Sequence, residues 1–374
     1  MMASHEARLP AVPLPCTARV DDRLLGLDIL ESGVSQPTAD GGSADGEPGA
    51  TDGSSEGGGL GVVTHVSAAT EATDIVGSGD TAYFAGVEAG GEGAIFSAKT
   101  TMPAATVLCK AGANRVLSAL AIDGATLYAI RPEPATGKAV IVKTTTSGTG
   151  AACEEIATIT ANPLTELAKV AGSLVYLGAE KVMRVPVAGG AESELLTTAA
   201  TGFVGDFAAL GTMGFVVDTS TAGTPGARLV RFKLDGSSET YTTFDSPQDS
   251  AYEVLGANVV VWATPGPNVG DFVFKQALAT APLASIAPTT VVTSNFGIGS
   301  VLRFCRTDAT YPSDLAVASF DAQTVAYHQV GFAFGPTRKL ASLDSVMSPD
   351  ACALATGALW GIDPTDKRVF RAAR

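Results

Sequence analysis

Chemistry in this chain would have to come from a few polar groups, and RTDATYPS (306–313) holds the densest set, with Arg306, Asp308 and Tyr311. A cation, an acid and a ring so close together can hydrogen-bond and stack a polar ligand. Catalytic signatures are harder to find. The chain has no GxSxG to expose a nucleophilic serine and no GxxxxGK[ST] to cradle a phosphate. GLGVVT (59–64) and GIGSVL (297–302) lack the third glycine and the helix of a dinucleotide site, so both read as entries to extended runs. Paired carboxylates suffice for glycoside hydrolysis, and Asp80, Asp123, Asp206 and Asp350 sit near the ends of apolar runs. Asp80 and Asp123 each adjoin a glycine, which favours a tight turn over a catalytic role. His65 and His328 lie singly inside β-rich runs, and Asp363 and Asp366 in IDPTDK flank a proline as a hairpin turn would. The sequence therefore points to no metal and no cofactor.

These residues need a scaffold, and the scaffold is a repeat. Turn glycines recur at Gly79, Gly124, Gly172, Gly211, Gly256, Gly299 and Gly357. Each precedes a short β-rich run: TAYFAGV (81–87), ATLYAI (125–130), SLVYLG (173–178), MGFVVD (213–218), NVVVWA (258–263), SVLRFC (300–305) and ALWGID (358–363). Partner runs follow, among them AIFSAK (94–99), VMRVPV (182–187), LAVASF (315–320) and RVFRAA (368–373). In VMRVPV the alternation of Val182, Arg184 and Pro186 with Met183, Val185 and Val187 has the period of a strand. A further apolar run before each glycine and another after each partner run make four strands per repeat. Even LTELAKVA (164–171), the stretch with most helical character, reads as strand from its place in the repeat.

Four strands every forty-odd residues is the size of a propeller blade. A sheet apolar on both faces cannot stay folded alone, whereas a ring buries each sheet between two neighbours and leaves only short outer edges. The expected fold is therefore an all-β, seven-bladed β-propeller spanning 61–374. The seventh unit lacks a fourth strand, and GVVTHVSA (61–68) precedes the first unit without a partner, so the N-terminal run is expected to close the ring. Trp262 and Trp360, set among apolar neighbours in second strands, are expected in the core. Loops between second and third strands are short in unit three but long in units two, four, five and six, the last being the Arg306, Asp308 and Tyr311 segment. Binding on rigid scaffolds usually resides in such loops.

Ahead of the propeller, residues 1–60 are expected to be a disordered tail, because 40–59 (DGGSADGEPGATDGSSEGGG) offers too little apolar surface to offset the entropy of ordering. The formal net charge of −14 excludes a broad basic footprint for nucleic acid. No run is apolar and long enough to span a membrane as a helix, and no export signal is visible in 1–39. Cys109 and Cys153 lie about one repeat apart, as do Cys305 and Cys352. Disulfides between neighbouring units and buried thiols are both compatible with that spacing, and an oxidising compartment would favour the bridges.

KVMRVPVAGGAESELLTTA (181–199) resembles the blades of bacterial propellers of the TolB and NHL type, in which an Arg-Val-Pro-like strand, a Gly-Gly turn and a small polar strand recur. The resemblance covers roughly 62–374, without WD dipeptides or kelch glycine pairs. It implies an exported, extracytoplasmic propeller lipoprotein of undefined role. On this reading the protein is a non-enzymatic scaffold, monomeric, presenting loops to a protein, peptide or glycan. The alternative is a carbohydrate-active or lyase-type enzyme using carboxylates at the channel mouth. Lyases of similar architecture depend on histidine and a divalent metal, and two peripheral histidines count against that chemistry.

Overall fold

The computed structural model describes residues 62–373 apart from 67–68, 102–103, 114, 134, 161–165, 179–180, 198–202, 219–226, 245–250, 256–258, 266–270, 279, 281–288, 296–302, 308–313, 321–322, 332–337 and 346–350. The tail expected over 1–60 lies outside them. The described chain forms seven separate antiparallel sheets, the seven blades. Their inner strands are Ala69–Ser78, Ser118–Asp123, Leu167–Val170, Phe203–Leu210, Ala251–Leu255, Arg303–Phe304 and Cys352–Ala355, for blades one to seven in order. From blade one to blade six each lies against the inner strand of the next, Arg306–Thr307 links blade six to the inner strand of blade seven, and the seventh returns to the first. Five tight turns after inner strands use left-handed backbone, at Gly79, Gly124, Gly211 and Gly357 and, in blade three, at Ala171 just before Gly172.

The apolar core is divided among the seams between blades. In Thr81–Glu88, Ala82 and Phe84 pack toward blade seven with Ile75, Trp360 and Val369. Tyr83 and Ala85, facing the other way, join Leu117, Leu127 and Val142 of blade two. Blade seven divides similarly, with Trp360 and Ile362 against blade one and Leu359 and Phe370 against blade six. Alternation thus feeds two clusters from these strands, which is why a lone blade would leave both apolar faces wet. Where seams are tightest only glycine fits: a Cβ on Gly77 of blade one would stand 2.4 Å from the carbonyl oxygen of Leu354 in blade seven. Trp262 and Trp360 are both buried.

Ring closure follows the expected route. Val63–His65 pairs antiparallel with Val369–Ala373, in the register Val63↔Ala372, Thr64↔Arg371 and His65↔Phe370. Val66, next along the chain, is buried between blades one and seven, and its amide donates to the Val369 carbonyl at 2.8 Å.

Blade six departs from the expected strand order. SVLRFC was assigned by its preceding glycine to a second strand, but Arg303–Phe304 is the inner strand and pairs with Asp314–Phe320, which is therefore second and not third. Thr324–Gly331 and Arg338–Asp344 complete the sheet. Gly299 thus precedes the first strand of its blade, whereas the other turn glycines follow theirs. The segment after Arg306 consequently joins first and second strands, and the blade-two connection expected to be long is only four residues (134–137), because its flanking strands extend to Glu133 and from Lys138.

Two blades also carry a fifth strand. Ala151–Ala152 adds parallel to Thr106–Ala113 at the outer edge of blade one. Arg306–Thr307 adds parallel to Cys352–Ala355 on the axial side of blade seven. A disulfide stands at each addition: Cys109–Cys153 joins blades one and two at the rim, and Cys305–Cys352 joins blades six and seven near the axis.

Candidate functional site

The chain after the inner strand of blade six leaves its own sheet and lies along blade seven, with Arg306 opposite Ala353 and Thr307 opposite Leu354. Cys305, bonded to Cys352, fixes this crossing covalently. Arg306 then reaches the inner strands of three more blades. Its Nη1 donates to Asp74 Oδ2 at 3.0 Å in blade one and to the Leu120 carbonyl at 2.9 Å in blade two. Its Nη2 donates to Glu166 Oε2 at 2.8 Å, immediately before the inner strand of blade three. One residue can touch four blades, one through its backbone and three through its side chain, only at the axis of a ring.

Both acids are buried, at 4% exposure for Asp74 and 6% for Glu166. Asp74 is further held by peptide donors, Oδ1 accepting from the Ile75 amide at 2.8 Å and Oδ2 from the Leu120 amide at 2.5 Å. Buried carboxylates persist when their lone pairs are occupied and a cation is in place, and here both conditions hold. The two acids converge on one guanidinium, which brings them within the ~5–10 Å that a glycoside hydrolase requires. The guanidinium also fills the space between them.

Of the three residues singled out for ligand binding, Arg306 is thus engaged at the axis, while Asp308 and Tyr311 lie outside the described residues. Among the four candidate acids, Asp80 and Asp123 sit at turns beside Gly79 and Gly124. Asp123 pairs with Lys169, and Asp80 accepts from the Thr81 hydroxyl at 2.8 Å. Asp206 lies on the inner strand of blade four, and Asp350 is outside the described residues. Asp74 and Glu166 escaped attention because neither adjoins a motif. The available signal was positional, a charged side chain inside an inner-strand run at similar height above Gly79 and Gly172.

The second histidine forms a serine pair of no catalytic use. His328 Nε2 lies 3.2 Å from Ser319 Oγ, on adjacent strands of blade six. Ser319 is 3% exposed, so no substrate carbonyl can reach its oxygen. Burial, aided by the charge of Lys339, pushes the imidazole down to about 4. Because the folded pKa is below the unfolded value of about 6.5, stability from this site is complete above about pH 6.5. It declines as the unfolded chain alone takes up the proton, and it levels off below about pH 4. Denaturant unfolding at pH 7 and pH 4 is expected to show a loss from this site of about 3 kcal/mol. The variant His328→Gln should lose less over the same interval, and equal losses would refute the assignment.

At the closing strand, His65 Nε2 lies 3.3 Å from Asp363 Oδ2, and Asp366 is close by in the same turn. Burial opposes ionisation of Asp366, but hydrogen bonds from the Arg368 side chain and amide outweigh it and hold the carboxyl below its usual range. His65 is some three hundred positions from the turn that carries the two acids, which is why it reads as unrelated to them in the sequence.

No protein-family model matches the chain, and no curated protein does. Solved propellers are similar in shape. The WD40 repeats of RRP9 align with a TM-score of 0.55 at 12% identity, covering 83% of this chain and 97% of that one. YCF48 bound to D1 peptide gives 0.54 at 9% identity, covering 84% and 96%. A virginiamycin B lyase from Staphylococcus aureus, with quinupristin, gives 0.53 at 10% identity, covering 84% and 99%. At such identities the likeness shows the fold alone, and one of these neighbours is named as an enzyme while another is bound to a peptide.

Proposed function

We propose that this propeller is a non-enzymatic binding scaffold that presents its loop-bearing end to a protein, peptide or glycan. The observation that carries the reading is the bridged acid pair: the buried carboxylates that converge, Asp74 and Glu166, are held together by Arg306. What varies from blade to blade is the rim. The segments joining second and third strands run from three residues in blades one, three and six (89–91, 178–180 and 321–323) to eight in blade four (219–226). Blade five, next in the ring, contributes 266–270. A rigid ring with neighbouring long loops on one end suits recognition. The finer reading, an exported or surface-tethered monomer of the TolB and NHL type, is supported by the disulfides Cys109–Cys153 and Cys305–Cys352, which fit an oxidising compartment.

Convergence of Asp74 and Glu166 is the one observation favouring the enzymatic alternative, and a single experiment separates the two. The full chain, Glu166→Gln, and a variant with 219–226 cut to a three-residue turn are applied to a glycan and peptide array. The scaffold reading expects the full chain and Glu166→Gln to share the same bound members, and the shortened loop to weaken them at least tenfold without lowering Tm. Cleavage of array members by the full chain, abolished in Glu166→Gln, would establish the hydrolase instead. Undiminished binding by the shortened loop would remove the loop-bearing end as the recognition surface.

A further inference from the structure

We propose that His65, Asp363 and Asp366 form a site for a divalent transition-metal ion of the zinc class, and that the ion locks the ring at its closure. One donor atom from each residue lies within 4.8 Å of the other two, and His65 Nε2 and Asp363 Oδ2 are 3.3 Å apart. Ligands ~2.1 Å from a shared tetrahedral zinc stand roughly 3.4 Å from one another. The existing pair is already at that spacing, and Asp366 needs only a small side-chain movement to join it.

The turn carrying the two acids is set before any ion arrives. The Asp363 amide donates to the Arg368 carbonyl at 2.9 Å, and the Lys367 amide to the Asp363 carbonyl at 2.8 Å. Asp363 Oδ1 accepts from the Thr365 amide at 2.9 Å, leaving Oδ2 directed at His65. Asp366 Oδ1 accepts from the Arg368 amide at 3.0 Å, while Oδ2 is paired with the Arg368 guanidinium. Arg368 is therefore the competitor an ion must displace. Two carboxylates against one guanidinium leave the cluster net negative, which favours the exchange.

The donor set decides the class of ion. One imidazole nitrogen with two carboxylate oxygens suits zinc and its first-row neighbours, whereas calcium and magnesium take all-oxygen shells. The His65 side chain is 32% exposed, which leaves an open side for water to complete the coordination. His65 belongs to the strand that closes the ring and the acids to the last hairpin, so only the closed ring assembles the site. An ion that binds the closed form alone must stabilise it.

The test uses the full chain, titrated with zinc chloride by calorimetry and melted with and without it, with magnesium chloride as control. One saturable zinc site is expected, with Tm raised by about 4 °C at a hundredfold excess over Kd and unmoved by magnesium. His65→Gln and Asp366→Asn should each weaken that site at least tenfold. Asp366 is exposed on a turn, so its variant keeps the test valid should the histidine variant fail to fold. Absence of saturable zinc binding to the full chain, or wild-type affinity in Asp366→Asn, would overturn the proposal. The acids belong to the segment joining second and third strands of blade seven (363–368), at the same end as 219–226 and 266–270, but the two tests change different residues, so the failure of either reading leaves the other standing.

Discussion

Replacing Arg306 with alanine is expected to destabilise the propeller by about 3 kcal/mol or more, because it leaves two buried carboxylates without their cation. Asp74 retains the Ile75 and Leu120 amides, so part of its charge stays solvated by peptide dipoles. Glu166, 8% exposed at its side chain, loses the cation that bridges it to blade one. Lysine should rescue little. A single ammonium cannot supply both guanidinium nitrogens in the geometry that spans Asp74, Leu120 and Glu166. The pairing can be isolated with a double-mutant cycle measured by urea unfolding. Arg306→Ala with Glu166→Gln should cost less than the sum of the single variants, since the glutamine removes one stranded charge. Strict additivity, or a loss below about 1 kcal/mol for Arg306→Ala, a size typical of exposed pairs, would show that the axial arginine is a surface ornament.

The contrast between what could and could not be read in the sequence has a physical basis. Strands such as Thr81–Glu88 and Lys181–Pro186 were legible because alternating side chains feed opposite seams, and the period survives whatever the neighbours are. Closure was legible because an unpaired strand at each end of the chain leaves one stable solution. Blade six was misread because a glycine does not say which strand of a blade it borders. Gly299 comes before the inner strand Arg303–Phe304 in the sequence, and the long interval to Gly357 conceals the crossing of Arg306–Thr307 onto blade seven. The axial network was invisible for a deeper reason. Arg306 is 232 positions from Asp74 and 140 from Glu166, so only the ring brings them together. His65 and the Asp363–Asp366 turn share that property, and in both clusters the chemistry is a product of closure.

Deleting 61–68 is expected to cost about 5 kcal/mol, the largest effect of any change at the rim. Val66, 1% exposed between blades one and seven, contributes about 2 kcal/mol of burial. The paired residues Val63, Thr64 and His65, with the Val66 amide, contribute about 1 kcal/mol per hydrogen bond. Deletion also exposes the outer edge of Val369–Ala373, which then offers unpaired backbone to other chains. The truncated protein should therefore melt lower and aggregate as it does so. Val66→Ala separates these contributions: it should lose only about 2 kcal/mol and remain soluble through the transition. Pairing and tethering can be separated in turn. The deleted strand, returned after Arg374 through a short hairpin loop, can again pair antiparallel with Val369–Ala373 but no longer ties blade seven to blade one. Recovery of most of the lost stability would assign the clasp to strand pairing, and recovery of little would assign it to the covalent tie across the seam. A truncation that melts with the full chain would mean that the seam between blades one and seven holds without either.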